Sequence, residues 1–111
     1  MPVAATVLTT FTTHITLHSL EQATAESPRA RRNLLIGIWA GRRLALPEAA
    51  LSQYALDVMW ADHAESGDAD VIRKLTTDFD AAGCCVGEDV LRAELTTAQR
   101  RAYDDTLLHL L

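Results

Sequence analysis

The first 20 residues contain no Asp, Glu, Lys or Arg. A secretory leader opens on a basic stretch, so this start does not read as one. Long apolar runs are missing too. None is long enough to span a bilayer, which argues against direct membrane insertion and makes the cytoplasm the expected location. Aromatic side chains make up only 5% of the 111 residues, while Ala and Leu are abundant. Unbranched side chains lose little rotamer freedom in a helix, so this balance favours helix over strand. Cysteine is limited to the neighbours Cys84 and Cys85. Adjacent residues do not easily close an unstrained disulfide, and a zinc site needs more ligands nearby. The pair reads as reduced residues of a reducing compartment. An excess of basic charge is also lacking. The formal net charge of −5 repels phosphate backbones, so a nucleic-acid partner is not expected.

What is present suits one small globular domain with a modest core. The chain divides near Glu26. Before it, odd positions run Val7, Thr9, Phe11, Thr13, Ile15 and Leu17, and even positions run Thr10, Thr12, His14, Thr16 and His18. A period of two in β-branched residues reads as a strand or an extended arm, and a lone strand is not stable alone. Residues 1–26 are therefore expected to be an extended or flexible Thr-rich arm, and residues 1–20 not to form a stable helix.

From Ser27 the pattern turns helical. Ser27-Pro28 supplies a hydroxyl cap and a proline at the first helical position. Pro47 with Glu48 opens a second helix. Asp68 is placed to cap a third, and Gly83 to end it in a left-handed conformation. The spacing predicts helices over 28–44, 47–63, 69–82 and 88–106, the last with apolar spacing that reaches Leu110. Their stripes predict a core of Leu35, Ile38, Tyr54, Val58, Leu75, Phe79, Leu91 and Leu95. The connections are short, so the expectation is an all-α, antiparallel four-helix bundle over 27–111. Gly37 and Gly41 weaken helix propensity but let another backbone come close.

Few constellations point to chemistry. Counted from Asp62, Gly67 falls at position six of a calcium loop, but Ala64 and Arg73 stand where oxygen ligands are needed. Asp68 and Asp70 then serve a helix start. His14 and His18 lack a third metal ligand, and Asp62-His63 has no nucleophile with it and reads as a surface pair. No phosphate-cradling glycine loop occurs, and no cofactor, metal or enzymatic activity is expected. The arginines are more informative. Arg31 and Arg42 are about three turns apart and share a face. With Arg32, Asn33, Trp39 and Arg43 they form a candidate surface for a partner's carboxylates or a phosphate.

Ala30-Arg31-Arg32-Asn33-Leu34-Leu35, then Gly37 and Trp39-Ala40, resemble a segment of the form A-R-R-N-x-L-x-G-x-W-A in the zeta, ATPase-inhibitor, subunit family of alphaproteobacterial ATP synthases. Gly67-Asp68, Asp70-Val71 and Arg73-Lys74-Leu75 resemble that family's G-D-x-D-V-x-R-K-L segment, and Tyr54-Ala55 and Ala61-Asp62 fall between the two. The resemblance runs from about Arg29 to Arg101. It implies a four-helix protein that binds the catalytic sector of an F-type ATP synthase and restrains ATP hydrolysis through an N-terminal segment. Residues 1–26 do not match that segment, so no inhibitory residue carries over, and inhibition is expected to be weak or absent. Trp60 and the run from Leu107 to Leu111 add apolar surface beyond the family pattern, which points to self-association, through the arm or the Leu-rich end, or to a different docking face. The competing readings are a helical module binding a small anion or nucleotide through the arginine face, and a homo-oligomeric interaction protein.

Overall fold

The computed structural model describes residues 15–62 and 68–111. Those residues are all-helical: α1 Leu17–Ala23, α2 Pro28–Arg43, α3 Glu48–Ala61, α4 Ala69–Ala81 and α5 Glu88–Leu110.

The α1 helix corrects the reading of the arm. Residues 1–14 lie outside the described residues, but Leu17–Ala23, expected to be extended or mobile, is helical. Local hydrogen bonds outweigh the β-branched composition here. The Thr16 hydroxyl accepts from the Ser19 amide at 3.0 Å while the Ser19 hydroxyl accepts from the Thr16 amide at 3.0 Å, a reciprocal cap. At the other end the Thr24 hydroxyl donates to the Leu20 carbonyl at 2.9 Å. Leu20 is buried against Leu34 and Ala55. Ser52 on α3 donates to the Ile15 carbonyl at 3.1 Å and fixes the entry of the chain.

The Ser27-Pro28 start is present as expected, with the Ser27 hydroxyl accepting from the Ala30 amide at 3.2 Å. Pro47 sits one residue earlier than its expected place, as the residue preceding α3. Gly83 ends α4 with φ at +71°. Asp68 does not cap α4 with its side chain; its carboxylate is engaged elsewhere. The last helix extends to Leu110.

Helix α2 is the centre of the fold, packed most extensively on α3 and α5. Contact on two sides explains why its buried non-polar residues are Leu34, Ile36, Gly37, Ala40 and Gly41, whereas Leu35 and Ile38 are only partly buried. Tyr54 likewise lies at the margin of the core, because its hydroxyl reaches a carboxylate. Val58, Leu75, Phe79, Leu91 and Leu95 occupy the interior as expected. A Cβ at Gly37 would stand 2.9 Å from the Ala55 Cα, so α2 and α3 approach to backbone contact there. No helix among the described residues is long and apolar enough to cross a membrane.

Candidate functional site

The arginine-rich start of α2 is built by helical spacing. Arg29, Arg32 and Asn33 lie three and four residues apart and face one way. What they face was not foreseen. Asp62 ends α3, where its negative charge opposes the helix dipole unless cations attend it. Arg29 supplies one, donating through Nε to Asp62 Oδ2 at 2.6 Å and through Nη2 to Oδ1 at 2.7 Å. Asn33 Nδ2 donates to the same Oδ2 at 2.7 Å. Arg32 shares Asn33 Oδ1 between Nε and Nη2 at 3.0 and 2.8 Å, and its Nη1 holds Asp68 Oδ1 at 2.6 Å. One turn of α2 therefore grips the residues on both sides of the 63–67 connection.

The centre of this clasp is dry, while its rim is open, with the Asp68 side chain 40% exposed. The Asp62 side chain is 2% exposed and that of Arg32 5%, while Arg29 is half exposed. Hydrogen bonding from Arg29 is the chief reason the Asp62 carboxyl is held below the usual carboxylate range, against the upward push of burial. The expected surface pair of Asp62 with His63 thus becomes a buried anion serving α2; His63 itself lies outside the described residues. The guanidinium of Arg32 has its donors engaged within the chain, so a phosphate or partner carboxylate there would have to displace Asp68 or Asn33. Arg29, Arg32, Asp68, Gln99 and Tyr103 line a shallow pocket of about 230 Å³ beside the clasp.

The remaining arginines lie elsewhere. Arg31 turns to α1, donating from Nη2 to the Glu21 carbonyl at 2.9 Å. Arg42 and Arg43, both exposed, close α2. The Arg43 guanidinium lies 5.5 Å from the Trp39 ring centroid, and Trp39 meets Phe79 edge-on at 5.9 Å. Arg42 borders a groove of about 380 Å³ between α1, α2 and α5, with Leu35, Ile38 and Trp39 among its apolar lining. The six predicted residues are thus divided. Arg32 and Asn33 face inward at one end of α2, Trp39, Arg42 and Arg43 lie at the other, and Arg31 ties down α1. No group of metal-ligating side chains gathers among the described residues.

A second polar contact joins α3 to α4. The Tyr54 hydroxyl donates to Asp78 Oδ2 at 2.7 Å, and Lys74 Nζ lies 2.9 Å from the same oxygen and 5.2 Å from the Tyr54 ring. Burial first, and then Asp78, push the Tyr54 phenol well above its ordinary pKa.

The two sequence segments that looked familiar are therefore joined in space, Arg32 and Asn33 from one and Asp68 from the other. The family model of the ATPase inhibitor subunit zeta matches residues 17–105. The chain belongs to that family. No curated protein and no solved structure matches it significantly. For this zeta-family chain the match begins at the first residue of α1, ahead of Arg29 where the motif resemblance starts, and stops within α5. The clasp was missed in the sequence because Asp62 and Asp68 are separated from Arg32 by a whole helix. Their only signal was two acids bracketing a short connection.

Proposed function

We propose that this chain is a regulatory subunit that docks on the catalytic sector of an F-type ATP synthase and acts there by binding rather than by catalysis. The observation that carries this reading is the zeta-family match over residues 17–105, which takes in α1 to α4 and most of α5. The docking end is assigned to Trp39, Arg42 and Arg43, whose cations are exposed and suited to carboxylates on a partner. Arg31 ties α1 to α2, while Arg32 and Asn33 hold Asp68 and Asp62 at the opposite end of α2. Helices α2 to α5 are read as an antiparallel bundle. Gly37 meets Ala55 and Gly41 meets Leu51, so α2 and α3 pass in opposite directions.

Inhibition of ATP hydrolysis is weak or absent in this reading. A segment that enters a subunit interface gains steering and register from complementary charge. The chain offers none before Glu21. The test is a titration of the pure protein against its cognate ATPase, with co-sedimentation as the binding readout. Co-sedimentation lost in a Trp39→Ala/Arg42→Ala/Arg43→Ala variant, with hydrolysis little changed by the unmodified protein, is the expected result. Absence of co-sedimentation would overturn docking. Strong inhibition that vanishes on deleting residues 1–16 would overturn the second part.

A further inference from the structure

Helix α5 carries a feature that docking on another complex does not use. Arg100-Arg101-Ala102-Tyr103-Asp104-Asp105 is a charge sequence that reverses sign about its own centre. None of these four ionic side chains makes an ion pair or side-chain hydrogen bond among the described residues, and Arg100, Arg101 and Asp104 are exposed. Such a segment complements a second copy of itself laid antiparallel. Arg101 then meets Asp104 of the second copy, Arg100 meets Asp105, and each pairing occurs twice by symmetry. A parallel arrangement would set like charge on like.

The apolar surface agrees with the same register. Past the charged segment Leu108 and Leu111 are more than half exposed and share the helix face of Arg101 and Asp104. Glu94, Thr97, Arg101, Asp104, Leu108 and Leu111 recur at alternating spacings of three and four, the period of a helix–helix seam. Pairing Arg101 with Asp104 brings Leu108 of the second copy over Thr97 and Leu111 over Glu94. Those two residues line the groove whose apolar wall is Leu35, Ile38 and Trp39. The exposed leucines of one copy therefore reach an apolar groove on the other.

We propose that this protein forms a two-fold antiparallel dimer through α5, with the leucine-rich end of each copy seated in the α1–α2–α5 groove of the other. The contact is isologous, so it closes on itself and both grooves fill at once. Stable pairs of this kind bury on the order of 1,200 Å² or more in total, which neither the seam nor the groove is asked to supply alone. The groove filled in this dimer includes Trp39 and Arg42, so dimerisation and synthase docking compete for that end of α2; the dimer's own test involves no synthase.

The experiment is sedimentation equilibrium of the full chain, with helical circular dichroism confirming that each variant folds. At ~100 µM, where weak homodimers are populated, the native protein should sediment at twice its 12.1 kDa chain mass. Arg101→Asp and Asp104→Arg, each alone, place like charges together twice and should weaken association by at least about tenfold. Mixed in equal amounts, the two variants regain complementary pairs and should form a heterodimer. Leu108→Glu should abolish both. A native protein that stays at the single-chain mass, or variants that fail to associate on mixing, would overturn the dimer. A monomer that instead binds the catalytic sector through Leu108 would overturn it too, and would give the face to a different partner.

Discussion

Replacing Asp62 by Ala tests whether the clasp holds the fold together. The substitution removes two hydrogen bonds from Arg29, one from Asn33 and the neighbouring charge of Arg32 at 3.6 Å. Arg29 is half exposed, so solvent screening limits its share to about 1 kcal/mol or less. Asn33 is only 3% exposed, and leaving its amide without an acceptor costs about 1–3 kcal/mol. Arg32 keeps Asp68 and Asn33 and so adds little. The sum is about 1–4 kcal/mol, a large part of the ~5–15 kcal/mol that stabilises a domain of this size. In a chain this short that corresponds to a fall in melting temperature on the order of 5–20 °C. Thermal and urea unfolding followed by circular dichroism at neutral pH measure it, with Asp57→Ala as an exposed control on the same helix.

The pH dependence supplies an independent check on the same residue. The folded carboxyl is held below its unfolded pKa, so its contribution is fully present above about pH 4 and is lost as the pH falls through the folded value. The stability gap between native protein and Asp62→Asn should therefore be widest near neutrality and close in acid. A loss below about 0.5 kcal/mol at pH 7, the ordinary scatter of surface substitutions, would refute the clasp as a stabilising element. So would a gap that does not narrow in acid.

Two further changes probe the packing around it. Gly37→Ala gains helix propensity but drives a methyl to 2.9 Å from the Ala55 Cα, so the close approach of α2 and α3 must open; a net loss of about 1–3 kcal/mol in urea unfolding is expected. The Tyr54 phenol, raised by burial and by Asp78, should contribute no phenolate absorbance in an alkaline titration until the protein unfolds, and Tyr54→Phe should leave Asp78 to Lys74 at a cost of about 1 kcal/mol.

One helix start and one stop were legible because they rest on neighbours in the chain, whereas the expected Asp68 cap is not made. Ser27-Pro28 and Gly83 act through their own hydroxyl, ring and backbone, and each stands where its chemistry required. Helix α1 was not legible. The Thr16–Ser19 exchange that caps it is weaker in sequence than the Glu-bearing form, and the alternation of Thr obscured Leu17, Leu20 and Thr24 at helical spacing. The choice of Leu34 and Ile36 over Leu35 and Ile38 escaped a single-stripe reading. It depends on α2 having neighbours on two sides, which periodicity within one helix does not reveal. Arg29, which binds Asp62, was not among the arginines singled out, and the partners of Arg31 and Arg32 within the chain were not foreseen. An arginine that will bind a partner and one that will bind Asp62 have the same local spelling.

Because Asp62 and Asp68 are both held by one turn of α2, the path between them is anchored at its two banks. The closure entropy of such a bridge grows only with the logarithm of its length. A change in the length of chain between Asp62 and Asp68 would therefore cost little closure entropy. That tolerance makes this stretch a place where a new recognition sequence could be written into the chain without redrawing the fold.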